Sequence, residues 1–190
     1  MKILTGTLRG RSITLKPNAH LRPTADKVRK AVFDMLQGAI EGRNVLDLYS
    51  GTGALGLEAL SQGAAKVTFV EIDKVQARRI GDNLAQLGVA DRARVMPVDA
   101  LRAIGELSAQ GEYFDFIFLD PPYETGLAQK TLQLLASSRL VHETTLVLTE
   151  SGRGEAMPRA AGALRLFKTK RYGDTQLSLF RVAEPDSVGP

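Results

Sequence analysis

Residues 45–56 contain the pattern from which the architecture of this chain follows: Val45-Leu46-Asp47-Leu48-Tyr49-Ser50-Gly51-Thr52-Gly53-Ala54-Leu55-Gly56. An apolar run ends near an acid, glycines follow, and apolar residues then recur at helical spacing. This pattern predicts a strand, a tight turn and the start of a helix. Gly51 and Gly53 allow backbone angles that other residues avoid. They also let a ligand approach the first amides of the helix, which have no partner within it.

This turn fits two kinds of ligand site. Gly51-x-Gly53-x-x-Gly56 matches the dinucleotide-binding fingerprint, and Glu71 lies twenty residues beyond Gly51, where an acid that binds a ribose is expected. Asp47, however, lies at the strand end, where a carboxylate would repel a pyrophosphate and attract a cation. S-adenosylmethionine carries an ammonium and a sulfonium and has no phosphate, so Asp47 favours it over a nicotinamide cofactor. A turn that only packs a helix against a strand is the simpler alternative.

Length and composition are those of an ordinary globular protein. The 190 residues are 44% hydrophobic and 24% charged, which suits a chain that buries a full core. With no cysteines and two histidines, neither a disulfide framework nor a catalytic zinc site is expected. The sequence has no apolar run of the ~20 residues that a membrane span needs, and it does not begin with a signal peptide. We therefore expect a cytoplasmic protein without a metal or a membrane partner.

The charges are distributed unevenly along the chain. Residues 1–30 hold eight Lys or Arg and one acid, residues 31–152 hold ten basic and sixteen acidic residues, and residues 153–181 hold seven basic and two acidic residues. Two basic flanks around an acidic middle predict a polyanionic partner, RNA or DNA, that both flanks contact. The alternative is that these charges form solvated faces.

The chain begins with two small basic elements and continues with a repeating α/β pattern. Residues 2–16 alternate around Arg9-Gly10-Arg11 and predict a β-hairpin; a loop over 17–23 leads to a helix over 24–37. Strands at 45–48, 66–70, 94–98, 114–119 and 146–149 then alternate with helical stretches, which predicts a parallel sheet with helices on both faces. Strands at 164–171 and 175–182 predict an antiparallel hairpin at one edge.

The fold class is therefore α/β, with a seven-stranded, mostly parallel sheet, a C-terminal antiparallel hairpin and a small N-terminal β-hairpin and helix. We expect one domain over residues 1–182, in which residues 1–38 form the basic N-terminal extension. Residues 183–190 are expected to be a disordered tail.

Acids follow four successive strands of the repeating portion: Asp47, Glu71, Asp99 and Asp120. Because ligands of open parallel sheets bind at the carboxyl ends of the strands, the four acids predict one shared pocket. Glu71 suits paired ribose hydroxyls, and Asp99 suits an exocyclic adenine amine. Asp99 fits equally well as the cap of the following helix.

Asp120-Pro121-Pro122-Tyr123 is the most specific motif of the chain. It directly follows a buried strand, and its two prolines fix φ and remove two amide donors. A rigid turn of this kind displays a carboxylate, carbonyl oxygens and an aromatic ring, which together can hold a planar amine. Accepting the hydrogens of that amine directs its lone pair toward an incoming methyl group. The alternative is a turn that only ends the strand.

These motifs resemble known enzymes at two levels. Asp47-x-x-x-Gly51-x-Gly53, Val70-Glu71-x-Asp73 and the Asp-Pro-Pro-Tyr turn resemble the class I S-adenosylmethionine-dependent methyltransferases that act on amino groups. The narrower resemblance is to the RsmD family, and it covers about residues 1–182. It is carried by Arg9-Gly10-Arg11, Arg22-Pro23-Thr24-x-Asp26-Lys27-Val28-Arg29-Lys30-Ala31-Val32-Phe33 and Leu55-Gly56-Leu57-Glu58-Ala59. Tyr49-Ser50 departs mildly from the Phe-Ala or Phe-Cys that the family more often has.

The RsmD resemblance implies a Rossmann-like methyltransferase fold and a reaction. Members transfer a methyl group from S-adenosylmethionine directly to the exocyclic N2 amine of one guanine in 16S ribosomal RNA of the small subunit. The implied partner is ribosomal RNA within a partly assembled small subunit, bound by a monomer.

The resemblance also implies roles for individual residues. Catalytic residues are Asp120, Pro121, Pro122 and Tyr123. Cofactor contacts are Asp47, Ser50, Gly51, Gly53, Glu71, Ile72, Asp99, Ala100 and Asp120. RNA contacts are Arg9, Arg11, Arg22, Lys168, Lys170 and Arg171.

Three other functions stay open at the level of sequence. A DNA adenine-N6 methyltransferase would share the Asp-Pro-Pro-Tyr turn, although this chain has no separate region for target recognition. A nicotinamide-dependent oxidoreductase would share the glycine pattern, but Asp47 and the missing Tyr-x-x-x-Lys oppose it. A non-catalytic RNA-binding module would not need an intact Asp120–Tyr123 turn.

Overall fold

The computed structural model describes residues 1–14, 26–36 and 38–183. Its strands are β1 Asn44–Asp47, β2 Lys66–Val70, β3 Ala93–Met96, β4 Phe116–Leu119, β5 Leu146–Gly152, β6 Ala160–Ala161, β7 Leu164–Tyr172 and β8 Thr175–Val182. Its helices are α1 Asp26–Met35, α2 Ala54–Ser61, α3 Lys74–Leu87, α4 Ala100–Ala109 and α5 Leu127–Ala136, with a 3₁₀ turn at Ala90–Arg92.

The strands form one sheet in the order β3-β2-β1-β4-β5-β8-β7-β6. The first five strands pair in parallel, and the last three are antiparallel to their neighbours. The predicted α/β class and C-terminal hairpin are confirmed. The sheet has eight strands rather than the predicted seven because β6, only two residues long, adds to the outer edge of β7.

The N-terminal hairpin is smaller than predicted. Lys2 and Ser12 form an isolated antiparallel bridge, and Ile3 and Ile13 bury their side chains in the core. The predicted loop over 17–23, the helix start at Thr24 and the helix end at Gln37 lie outside the described residues, as does the predicted tail from residue 184 onward.

Helices cover both faces of the sheet. Side chains of each parallel strand alternate between the faces, so Val45 and Phe118 join the core under α1, α2 and α3, whereas Leu46 and Ile117 join the core under α4 and α5. Two-sided burial explains why the central strands are continuous apolar runs. No helix in the described part of the chain is long and apolar enough to cross a membrane.

A buried ion pair fastens the N-terminal segment to the sheet layer. Arg29 of α1 and Glu58 of α2 are both buried, and Arg29 Nε lies 3.2 Å from Glu58 Oε1. Glu58 also accepts hydrogen bonds from the amides of Leu4 and Thr5, and Arg29 donates to the carbonyl of Lys2. The pair therefore joins residues 2–5, α1 and α2. Arg29, which the sequence groups with the basic flank, does not face solvent.

We predict that Glu58→Gln destabilises the protein by about 3–5 kcal/mol, because the buried guanidinium of Arg29 loses its buried charge partner and keeps the exposed Asp26, 3.0 Å away. Equilibrium unfolding in urea measures this change. The matched control is Asp34→Asn, which breaks the exposed pair of Lys30 and Asp34 and should change stability by less than about 1 kcal/mol. Equal effects of the two variants would contradict the proposed importance of the buried pair.

Candidate active site

A cavity of about 500 Å³ opens at the carboxyl edge of the parallel strands. The strands β1 and β4 are neighbours there, although the chain forms β2 and β3 between them. Connections leave β1 and β4 toward opposite sides, and a crevice opens at such a switch point. Asp47 ends β1 and Asp120 follows β4, so these two predicted acids flank the crevice.

Eleven of the twelve residues that the sequence assigns to the cofactor or to catalysis line this cavity. They are Asp47, Ser50, Gly51, Glu71, Ile72, Asp99, Ala100, Asp120, Pro121, Pro122 and Tyr123. The exception is Gly53, whose φ is 78°. A Cβ on Gly53 would lie 3.2 Å from Ile80 Cγ1, so this glycine serves the turn and the packing of α3.

Asp47 is a buried carboxylate at the floor of the cavity, 1% exposed. Its Oδ2 accepts a hydrogen bond from the Gly56 amide at 3.0 Å. Burial raises the pKa of Asp47 from 3.8 to about 7; the Gly56 hydrogen bond lowers it, and repulsion from Glu71 raises it further. An ionised Asp47 therefore lacks the stabilisation that a nearby cation would give.

Gly56 lets α2 approach the sheet. A Cβ on this residue would lie 2.2 Å from Phe69 Cε1, closer than any side chain could be accommodated without movement of helix or ring. The third glycine of the fingerprint is thus required for helix–strand packing, as it is in dinucleotide-binding folds. The same packing brings the Gly56 amide to Asp47.

Glu71 and Ser50 tie the glycine turn to β2. Glu71 Oε2 accepts from the Gly51 amide at 2.7 Å, and its Oε1 accepts from the Asp73 amide at 2.8 Å. Burial raises the pKa of Glu71, and these amides partly offset that rise. The Ser50 hydroxyl donates to the Asp47 carbonyl and accepts from the Val70 amide, so it stabilises the loop from inside.

Asp99 lines the cavity and also caps α4. Its Oδ1 accepts from the amides of Leu101 at 2.9 Å and Arg102 at 3.2 Å. The two roles that the sequence left open are therefore compatible, since Oδ2 takes no part in these two bonds.

Ile72, which also lines the cavity, has 67% of its surface exposed although it is a large apolar residue. Such a side chain at a cavity wall offers a flat apolar ligand a packing surface.

A second carboxylate, that of Glu150, contacts the Asp-Pro-Pro-Tyr turn. The Tyr123 hydroxyl donates to Glu150 Oε1 at 2.6 Å and lies 3.4 Å from Thr175 Oγ1. Burial and the neighbouring Glu150 raise the pKa of Tyr123, so its hydroxyl stays protonated as a donor. Glu150 is 5% exposed. The hydrogen bond to Glu150 fixes the orientation of the Tyr123 ring at the end of the turn.

Sequence reasoning missed four polar residues of the cavity: Tyr49, Thr52, Glu150 and Thr175. Glu150 directly follows the predicted fifth strand, so it continues the pattern of acids after strands that Asp47, Glu71, Asp99 and Asp120 form. Tyr49 donates to or accepts from Thr131 Oγ1 at 2.7 Å. Thr175 could not be found from local pattern, because the antiparallel pairing of β8 with β5 brings it to the cavity edge.

The cavity is strongly acidic. Five carboxylate residues line it, and none of its lining residues in the described chain is Lys, Arg or His. A site of this charge opposes a pyrophosphate and favours a ligand with positive charge. The described residues contain no group of three or more His, Asp or Glu able to hold a metal ion.

The residues predicted to contact RNA lie in two separate places. Arg9 and Arg11 are exposed, and Arg11 donates to the Gln86 carbonyl near the end of α3. Because α3 begins at the cavity edge of the sheet, its last residues and this arginine lie at the opposite edge. Lys168, Lys170 and Arg171 lie on β7, which ends at the cavity edge. Arg22 lies outside the described residues.

Fold and cavity together define a class I methyltransferase fold. Within that class, the chain belongs to the family described as "Conserved hypothetical protein 95", whose model matches residues 1–181; this is the RsmD family that the motifs predicted.

Individual relatives agree with this assignment. The chain is 33% identical over 181 residues to Ribosomal RNA small subunit methyltransferase D of Escherichia coli strain K12, covering 95% of this chain and 89% of that protein. It is 34% identical over 158 residues to the protein of the same name from Haemophilus influenzae, covering 83% and 81%. The solved structure of the Escherichia coli protein yhhF is 33% identical, with a TM-score of 0.83 over 96% of this chain and 97% of that one.

We predict that Asp47→Asn changes the dependence of stability on pH. The folded protein holds a proton on Asp47 up to about pH 7, whereas the unfolded chain loses it near pH 4. Between these values the folded state binds more protons, so stability falls as pH rises, by up to about 1.4 kcal/mol per pH unit from this group. Above pH 7 the contribution is constant.

Urea unfolding between pH 4 and pH 8 tests this. Asp47→Asn keeps an acceptor for the Gly56 amide and should be more stable than the unsubstituted protein at pH 8, with the difference disappearing toward pH 4. The exposed Asp82→Asn is the control and should follow the unsubstituted protein throughout. Parallel curves for all three proteins would show that Asp47 does not titrate in this range.

Proposed function

We propose that this protein transfers a methyl group from S-adenosylmethionine to the exocyclic N2 amine of a guanine in small-subunit ribosomal RNA. The observation that carries the proposal is that the Asp120–Tyr123 turn opens into the same cavity as Asp47, Glu71 and Asp99. A site that favours a cation and a turn that can hold an amine therefore line the same cavity. Membership of a family with relatives named as ribosomal RNA methyltransferases supports the substrate class.

The cavity residues fit S-adenosylmethionine one by one. The buried carboxylate of Asp47 suits the ammonium group, and Glu71 suits the ribose hydroxyls, because each of its oxygens keeps a lone pair beside the amide it already accepts from. Asp99 and Ala100 suit the adenine edge, and the exposed side chain of Ile72 suits the adenine face. Gly51 and Ser50 lie where the methionine part would pass. When bound, the cofactor supplies a methyl group on a positively charged sulfur.

The turn suits a planar amine. The Asp120 carboxylate and a proline carbonyl accept the two N–H bonds, and the Tyr123 ring, oriented by Glu150, stacks on the base. Asp120 or a water molecule would accept the proton that N2 loses when it gains the methyl group that the cofactor would supply. No enzyme nucleophile is needed, and the sequence contains no cysteine. The acceleration of the reaction comes from the orientation of the two reactants and from the placement of charge around them.

The substrate is most readily presented by a partly assembled small subunit in the cytoplasm, to a monomeric enzyme. A base can reach the turn only after it leaves its stack, which costs a few kcal/mol for each base. Arg9, Arg11, Arg22, Lys168, Lys170 and Arg171 are our candidates for the phosphate contacts that offset this cost. Two basic surfaces at opposite edges of the sheet suit a large folded RNA better than a short duplex.

Transfer of radiolabelled methyl tests the proposal directly. The protein is offered small-subunit particles that lack the modification, the RNA extracted from them, and duplex DNA, and the products are digested to nucleosides. We expect N2-methylguanosine from the particles or their RNA. Methyladenine from the duplex would identify a DNA adenine-N6 methyltransferase instead, and absence of label from all three substrates would overturn the proposal.

We predict that Asp120→Ala lowers the rate of transfer by about a hundredfold or more, because the amine loses its charged acceptor, while the melting temperature changes little. Asp120→Asn keeps a neutral acceptor oxygen and should retain more activity than Asp120→Ala. The exposed Glu124→Ala, one residue beyond the turn, is the matched control. Full activity of Asp120→Ala would remove this residue from the reaction.

We also predict that affinity for S-adenosylmethionine rises about tenfold between pH 5.5 and pH 7. The pKa of Asp47 is about 7, so its carboxylate is mostly protonated at the lower pH, whereas an α-amino group stays charged throughout this range. Calorimetric titration at several pH values measures the effect. Asp47→Asn should bind more weakly at pH 7 and show a much flatter profile; an equally steep profile in this variant would assign the titration to another group.

A further inference from the structure

A second concave surface lies beside the active site, between α1 and the last part of β7. This α1–β7 groove has a volume of about 480 Å³. The residues that matter for its chemistry are Lys27, Lys30, Asp34, Lys168, Lys170 and Tyr172. The family resemblance implies RNA contacts for the two β7 lysines, and the basic flank over residues 1–30 contains Lys27 and Lys30, but the sequence does not predict that α1 lies opposite β7.

A β-bulge creates this groove. In the first part of β7, Leu166 pairs with Phe180 and packs under α5; beyond one extra residue, Lys168 pairs with Leu179, which belongs to the core under α1. A regular strand would keep residues 164, 166 and 168 on one face, but the extra residue, Phe167, reverses the alternation. Lys168 and Lys170 therefore face α1 rather than α5.

The groove carries an unbalanced positive charge. Its four lysine side chains are exposed, and Asp34 is the acid among its lining residues. Lys30 lies 2.7 Å from Asp34, but both side chains are more than half exposed, and exposed pairs of this kind contribute little. Four ammonium groups that converge on one groove repel one another, and a polyanion relieves that repulsion.

The groove and the active-site cavity lie next to each other across the hairpin of β7 and β8. Tyr172 lines the groove and pairs with Thr175 across the hairpin turn. Thr175 lines the active-site cavity, and its Oγ1 lies 3.4 Å from the Tyr123 hydroxyl. A strand that lies along the lysines therefore arrives at the turn proposed to hold the base.

We propose that the α1–β7 groove binds the phosphates of the RNA strand next to the target guanine, with Lys27 and Lys30 on one wall and Lys168 and Lys170 on the other. This inference rests on the proposed function and specifies how its substrate is held. Lysines act as point charges on phosphates and carry no sequence information, so the groove fixes position, and the choice of base belongs to the cavity.

Filter binding with extracted, unmodified small-subunit RNA tests the groove at several salt concentrations. The variants are Lys27→Gln with Lys30→Gln, and separately Lys168→Gln with Lys170→Gln, so that each wall is tested alone. Each pair should weaken binding about tenfold near 0.1 M salt and reduce the slope of log affinity against log salt by about 1.4, the value for two lost single-strand contacts. The matched control, Lys66→Gln with Lys130→Gln, removes two exposed lysines elsewhere and should change neither quantity.

Unchanged affinity and slope in both groove variants would overturn the inference. So would normal binding of extracted RNA together with weakened binding of intact particles, since the groove would then contact a ribosomal protein. Methyl transfer is measured separately on the unsubstituted protein: if it binds RNA but modifies none, the proposed reaction fails while the groove result stands. Unchanged melting temperatures and S-adenosylmethionine affinities show that the variants are folded.

Discussion

The hydrogen bond from the Gly56 amide to the buried Asp47 carboxylate is the contact on which the site depends. It exists because a glycine lets α2 approach Phe69, and it anchors the start of that helix at the end of the central strand. One amide cannot compensate for the loss of water around a carboxylate, so the pKa of Asp47 stays high. The fold thus holds a charge that a cationic ligand can stabilise, and the arrangement costs stability in the absence of that ligand.

A second buried charge, Glu58, determines where the N-terminal part of the chain lies. It joins the first residues and Arg29 to the helix that leaves the active site, while Phe33 packs edge-on against Phe118 of a central strand. These contacts hold α1 over the sheet with its lysine-bearing side toward β7. The family motifs that contain Arg29 and Glu58 therefore meet in one buried ion pair. The same ion pair positions α1, which forms one wall of the α1–β7 groove.

Much of the fold was predictable because short local patterns in the sequence determine it. These patterns are apolar strands, helical periodicity, glycine turns and acids after strands. The acids converge as expected because parallel strands end at the same edge. The features that the sequence did not predict depend on pairing between distant segments. The burial of Arg29 against Glu58, the arrival of Thr175 beside Tyr123 and the side on which Lys168 lies are set by tertiary contacts that no window of sequence contains. The separation of Arg9 and Arg11 from the cavity has the same origin, since it follows from where α3 ends.

The bulge at Phe167 has a consequence for how this chain should be compared with its relatives. Which face the basic residues of β7 occupy is encoded by the number of residues between Leu164 and Tyr172, and not by their identity. A relative that lacks one residue in this interval would present the same lysines to the opposite side of the sheet. An alignment that closes such a gap by matching lysine to lysine would then equate side chains that lie on different surfaces. The length of β7 therefore determines which surface of the sheet carries these charges.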